Sequence, residues 1–218
     1  MIVIAQVKQI KNDHCDPGHV KVPGVFIDYV ITDPDQGMTF LSPFDPALVK
    51  RDVAYQFDYF QGGGLDLAFL GFAQIDRHGN INSSRFGNMI TGCGGAIDIS
   101  QNAKKVVFCG SFAVKSEQVI TNQGITVSHP GKFCKFVNDV QQVTFSGQYA
   151  MKKDQEVLYV TERAVFQLKP EGLTLIEIAP GIDLKRDVLE MMEFKPLIGK
   201  ELKTIDTRIY GTEDVCLQ

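Results

Sequence analysis

The stretch FDYFQGGGLDLAFLGFAQIDRHGNINSSRFGNMITGCGGAIDI, Phe57–Ile99, sets two glycine clusters around one apolar run and a polar loop. Leu65–Gln74 reads as a continuous apolar run, the pattern of a central parallel strand buried on both faces. Gly62-Gly63-Gly64 opens that run, and Gly92–Gly95 (GCGG) follows the loop behind it. Glycine at such places lets the backbone turn sharply or approach a ligand closely. Asp76–Ser84 (DRHGNINSS) reads as loop, Ala96–Ala103 as a short helix and Lys105–Cys109 (KVVFC) as the next strand. Strand, glycine turn, helix and strand in succession predict an α/β fold of three layers, with a mainly parallel sheet flanked by helices.

Downstream the pattern changes. Glu156–Thr161, Arg163–Leu168 and Leu173–Ile178 alternate over short runs, and Lys169-Pro170-Glu171-Gly172 between the last two is a hairpin signal. A small antiparallel extension near 156–178 is therefore expected. Asp183–Met192 reads as a helix with Asp183 as N-cap, and the tail from Lys195, with Pro196 and Gly199, as surface chain. Upstream, Ile2–Val7 (IVIAQV) and Val25–Ile31 (VFIDYVI) read as strands joined by the polar connection Lys11–Lys21. Asp33-Pro34-Asp35 is a turn and Gly37–Pro46 a loop.

Composition narrows the function. The chain has 218 residues, 44% hydrophobic and 22% charged, enough for one α/β domain with a sizeable core. A net charge of −4 argues against a nucleic-acid or anionic-membrane surface. No window approaches the roughly 18 apolar residues of a membrane helix, and Met1–Ile10 lacks the marks of a secretion signal. Five cysteines, none spaced as CxxC, fit a reducing compartment, so a cytoplasmic location is expected. His14, Cys15 and His19 fall short of the about four ligands a zinc site needs, and no metal site is assigned.

Several residues qualify as ligand contacts. Gly92, Gly94 and Gly95 either turn the chain into the Ala96 helix or present amides to a bound group. Asn80, Asn82 and Ser83 follow a central strand, where ligands of open α/β sheets gather, although asparagine also bonds local backbone. Gly62-Gly63-Gly64 precedes its strand, so it is a helix-to-strand turn rather than a dinucleotide fingerprint. His78 reads as exposed. Cys93 is either a reactive thiol beside a helix start or a small buried residue. Lys104 and Lys105 either reach a phosphate or flank their strand in solvent.

The order of these motifs resembles the family I CoA-transferases, in particular the fused acetate/acetoacetate type with an α-like and a β-like half. Lys104–Gly110 (KKVVFCG), Val143–Gly147 (VTFSG), Tyr159–Phe166 (YVTERAVF) and Leu173–Leu184 (LTLIEIAPGIDL) extend the likeness through Ile198. Ile2–Gln36 resembles the end of the α-like half, and Phe44–Leu48 (FDPAL) the segment just after it. The resemblance implies residues 1–36 as the end of the α-like half, 37–56 as a junction and 57–218 as the C-terminal part of the β-like domain. It implies transfer of coenzyme A between a short acyl-CoA and a carboxylic acid. Coenzyme A enters there as substrate, with no covalently bound cofactor. By the same resemblance Gly92, Gly94 and Gly95 line the CoA and acyl site, and Asn82 and Ser83 join them as candidates from their loop after a central strand.

The family's nucleophile is a glutamate followed closely by glycine, in a segment that would fall at a seam near Val49–Val53. No Glu-Xaa-Gly stands before Gly62, and Glu171-Gly172 sits in the hairpin turn instead. Glu162 and Glu177 read as structural, Glu162 pairing with Arg163. No catalytic residue is therefore assigned. The expected partners are an acyl-CoA, a small carboxylate, and either a complementary subunit or further copies of the chain. A non-catalytic remnant, an assembly partner or a sensor of phosphorylated small molecules stays open beside the transferase.

Overall fold

The computed structural model of the chain describes the backbone of Val25–Ile27, and residues 57–58 and 60–210 with their side chains. The readings of Ile2–Val7, of the 37–56 junction and of His14, Cys15 and His19 lie outside these residues.

Seven strands form the central sheet: β1 (Val25–Ile27), β2 (Leu67–Gly71), β3 (Lys105–Cys109), β4 (Glu156–Val160), β5 (Ala164–Lys169), β6 (Gly172–Ile178) and β7 (Leu197–Thr204). Their spatial order equals their chain order. β1 to β4 run parallel, β4–β5 and β5–β6 are antiparallel, and β6–β7 is parallel again. The expected mainly parallel sheet with an antiparallel extension near 156–178 is thus one continuous sheet. β1 pairs along β2, Val25 opposite Leu67, so the upstream segment lines one edge of β2, as the β-rich pattern of Val25–Ile31 implied in part.

β2 to β4 show why the core is two-sided. Ala68 and Leu70, Val106 and Phe108, and Val157 and Tyr159 point to one face, while Phe69, Val107 and Val160 point to the other. Every one of these residues is buried. Strand side chains alternate, so sequences apolar at successive positions need cover on both sides. Parallel neighbours added always on the same side draw their right-handed crossovers onto one face. That face carries Phe72, Ile75, Ile81, Ile99, Phe112, Phe136 and Phe145 from the two crossovers. Phe108 stacks on Tyr159 with ring centroids 5.7 Å apart and meets Phe145 edge-on at 4.9 Å. Phe136 packs against Phe112 and Phe166, each at 4.8 Å. Such pairs add about 0.5–1.5 kcal/mol each beyond their buried area. The opposite face is closed by Ile125, Ala179, Ile205 and Tyr210.

Helices are few. α1 (Ala96–Ser100) is shorter than the expected Ala96–Ala103. α2 (Gly147–Lys152) starts at Ser146, whose hydroxyl accepts from the Tyr149 amide as an N-cap should. The layers over the sheet are thus built largely from short hairpins and loops.

Four expectations need correction. Asp76–Ser84 is not loop throughout: Ile81–Asn82 pairs antiparallel with Gln74–Asp76, making a hairpin on the crossover. The Leu65–Gln74 run accordingly splits after Gly71, its end belonging to that hairpin. Asp183–Met192 is not an α-helix but a π-helical turn, Leu184–Leu189, although Asp183 caps it as expected by accepting from Arg186 N at 2.8 Å. The tail is surface chain but also a strand, β7, because the open edge of β6 offers backbone partners that its polar composition concealed.

Candidate functional site

A cavity of about 470 Å³ opens at the carboxyl end of β2, where Leu70 and Gly71 line it. Ligands of open α/β sheets bind at this end of the strands. Phe72, Phe108, Phe145 and Ile81 form apolar walls, Cys93, Ala96 and Ser100 another side, and Ser83, Thr144 and Lys135 add polar groups.

The sequence-predicted residues gather around this cavity in different ways. Ser83 lines it directly, and its amide donates to Thr144 Oγ1 at 3.1 Å. Asn82 sits beneath, fully buried. Its Nδ2 donates to Gln74 Oε1 and to the Arg85 carbonyl, both at 2.7 Å, and its Oδ1 accepts from the Ser84 and Arg85 amides at 3.1 Å. Asn82 thus shapes the loop on which Ser83 stands. Asn80 is occupied by the buried Asp76 carboxylate and by the Gly147 amide. His78 is exposed, as expected.

The GCGG loop is tied to the same hairpin: Thr91 and Gly92 amides both donate to the Ser84 carbonyl, at 3.0 and 3.3 Å. Gly92 and Gly94 have φ of +80° and +50°, a region that strains other L-residues. A Cβ on either would meet nothing within 4 Å, so the space above them is open. Gly95 is glycine for another reason, since a Cβ there would lie 2.4 Å from the Phe57 ring. Among the described residues the Gly94 and Gly95 amides take no acceptor. Cys93, between Gly92 and Gly94, is partly exposed and lines the cavity.

Other candidates are structural. Gly62 N donates to Asp58 O at 2.9 Å and Gly63 takes φ +81°, the helix-to-strand turn expected. Lys104 pairs with Asp66 at 2.6 Å and Lys105 with Glu156 at 2.7 Å. Glu162 Oε2 accepts from Phe112 N at 2.8 Å, and Oε1 lies 3.4 Å from Arg163 Nε without hydrogen-bond geometry. Arg163 is wholly buried. It donates to the Asp187 and Pro130 carbonyls and lies over the Phe112 ring. The pair therefore pins the β4–β5 turn to three other segments.

Sequence reasoning missed Lys135. It stands in the cavity wall, its ammonium 5.2 Å from the centroid of the Phe72 ring. Burial holds its pKa below the ordinary lysine value, and the negative charge of Glu162 opposes that shift. The available signal was a lysine inside the apolar run Phe133–Val137 (FCKFV). Among the described residues no group of three or more His, Cys, Asp or Glu side chains is placed to hold a metal. No described helix is long and apolar enough to cross a membrane.

The chain is 46% identical over 160 residues to the acetate CoA-transferase YdiF of Escherichia coli K12, covering 73% of the chain and 30% of that protein. It is 48% identical over 165 residues to the caffeate CoA-transferase of Acetobacterium woodii, covering 73% and 32%. Over these residues the chain is similar to CoA-transferases. The crystal structure of YdiF apoenzyme from E. coli O157:H7 superposes with a TM-score of 0.73 at 44% identity, over 75% of this chain and 32% of that one. The same YdiF in a thioester complex with CoA gives 0.72. The CoA-transferase likeness thus extends from sequence to the mainly parallel sheet. No family model matches the chain. The chain spans about a third of the length of the curated relatives it matches.

Proposed function

We propose that the cavity at the end of β2 is the acyl and pantetheine part of a CoA-transferase site, and that residues 57–218 are the C-terminal part of a β-like half. The reaction is transfer of coenzyme A between a short acyl-CoA and a carboxylic acid. The observation that carries this reading is the GCGG loop, whose Cys93 lines the cavity and whose neighbouring Gly94 and Gly95 amides take no acceptor among the described residues. Such amides are suited to a developing oxyanion on a thioester carbonyl. Ser83 and the Asn82-held hairpin form the adjoining wall.

The described residues that line the cavity include no carboxylate. Covalent catalysis by a carboxylate then draws on a group outside the described residues, and we assign it to a complementary chain. The cavity mouth suits such a partner. Phe86 and Val114 line it, while Met89, Ile90 and Phe133 on the same two hairpins are 61%, 72% and 68% exposed. Contiguous exposed apolar groups mark interaction surfaces.

Incubation with acetyl-CoA, borohydride reduction and intact-mass measurement test this. The expected result is binding of CoA, seen as a raised Tm, with no covalent adduct on the chain alone. An adduct mapped to one of this chain's own carboxylates would overturn the assignment of the nucleophile. Absence of CoA binding by folded protein would overturn the site.

A further inference from the structure

We propose that Lys135 is the anion anchor of the cavity, its ammonium holding the carboxylate of the acid that exchanges with acyl-CoA while the apolar walls take the hydrocarbon chain. This rests on the reading of the cavity as the CoA-exchange site.

Among the described cavity-lining side chains Lys135 is the one that carries a charge. Its ammonium lies against the Phe72 ring, itself a wall of the cavity, and has no hydrogen-bond or ion-pair partner among the described residues. Lys104 and Lys105, by contrast, both have carboxylate partners within 2.7 Å. Glu162, the acidic group whose charge reaches Lys135, is engaged by the Phe112 amide and faces Arg163. The lysine is also held firmly, because its amide donates to the Phe112 carbonyl at 3.2 Å and its carbonyl accepts from Ile75 N at 2.8 Å. A half-buried ammonium without a direct ion-pair partner is unfavourable unless an anion completes it. Unpaired charges of this kind gather at binding sites rather than in cores.

The surroundings select the kind of anion. Phosphate sites collect several donors, from backbone nests or from more than one cation. Here a single point charge sits among Phe72, Phe108 and Phe145. That combination fits a monoanion with a short apolar tail.

Binding to the full chain by calorimetry tests the assignment with four probes: butyrate, its neutral isostere butyramide, inorganic phosphate and CoA. Wild type is expected to bind butyrate and not butyramide. Lys135→Gln is expected to lose about tenfold or more in butyrate affinity. It should keep the wild-type circular dichroism, and Lys135→Arg should retain most of the butyrate binding. Equal butyrate affinity in wild type and Lys135→Gln would overturn the proposal. So would failure of wild type to bind butyrate while it binds CoA, or Lys135-dependent binding of phosphate in preference to butyrate. Loss of CoA binding by wild type itself would instead count against the site reading beneath it.

Discussion

The Tyr159 hydroxyl donates to the carbonyl of Gly79 at 2.6 Å, joining the middle of β4 to the tip of a turn 80 residues earlier. Gly79 has φ +73°, and a Cβ there would lie 2.6 Å from the same hydroxyl and 2.7 Å from Leu168 Cδ1. The contact fixes the Asp76–Asn80 turn, and hence the hairpin bearing Asn82 and Ser83, against the sheet. Tyr159→Phe leaves a buried carbonyl without its donor and should cost about 1–3 kcal/mol. Gly79→Ala combines backbone strain with that clash and should cost at least as much. Urea titration of both variants checks the order.

Tyr159 also sets behaviour in alkali. Burial, aided by the Asp76 charge, raises its phenol pKa well above the ordinary value of 10.0. The unfolded phenol ionises near that ordinary value while the folded one stays protonated. The contribution to stability is therefore complete below about pH 10 and is lost as pH rises beyond it. Ultraviolet titration should show Tyr159 ionising only together with unfolding. In Tyr159→Phe the alkaline fall in Tm should be shallower.

Among the three described cysteines, thiol chemistry should single out Cys93. Burial pushes Cys109 up to about 12 and Cys134 up to about 11, which leaves both almost wholly protonated at pH 8. Cys93 lies on the cavity loop and is partly exposed. Iodoacetamide labelling followed by peptide mapping should modify Cys93 well before the other two. Bound CoA should slow that labelling if the cavity is its site.

Asp187 guards the acid side. Its carboxylate is buried and accepts from Arg186 Nε and Nη2, each at 2.8 Å, and from Asp183 N at 3.0 Å. The Arg186 hydrogen bond, before all else, lowers its pKa below 3.8. The stabilisation is present above that ordinary value and disappears as pH falls through the lowered one. Asp187→Asn should cost about 1 kcal/mol at pH 7, with the gap to wild type closing in strong acid. Thermal unfolding from pH 7 to pH 2 reads this directly.

Lys135 makes an opposite prediction for stability. Its pKa is depressed by burial, so the charged form is a cost to the fold at neutral pH. That cost is relieved as pH rises through the depressed value towards 10.5, because the unfolded state then binds more protons than the folded one. Lys135→Met should raise Tm by about 2–4 °C at pH 7, the shift of about 1 kcal/mol in a chain of this size. The advantage should shrink by pH 10. A site residue that weakens the fold is the usual trade between function and stability.

Most of the sheet was legible because its strands carry strong local signals. Lys105–Cys109 alternates with both faces apolar, and the Lys169–Gly172 turn announces the β5–β6 hairpin. β7 was not, since six of its eight residues are exposed and none is buried, and its existence depends on the free edge of β6. The π-helical turn at Leu184–Leu189 was hidden for a similar reason. Its pattern suits any helix, and Arg163 reaching the Asp187 carbonyl is a tertiary contact. For the site, glycine spacing drew attention to the loop whose Cys93 lines the cavity, but Asn82 is spent on its own hairpin. Lys135 escaped notice because one lysine in FCKFV says nothing of the cavity behind it.

A sheet whose strands lie side by side in the order of synthesis has a modular character. Each strand emerging from the ribosome finds its neighbour already made, and no later strand must be wedged between two earlier ones. The same arrangement leaves β1 bordering β2 alone, so every pairing from β2 to β7 is made within residues 67–204.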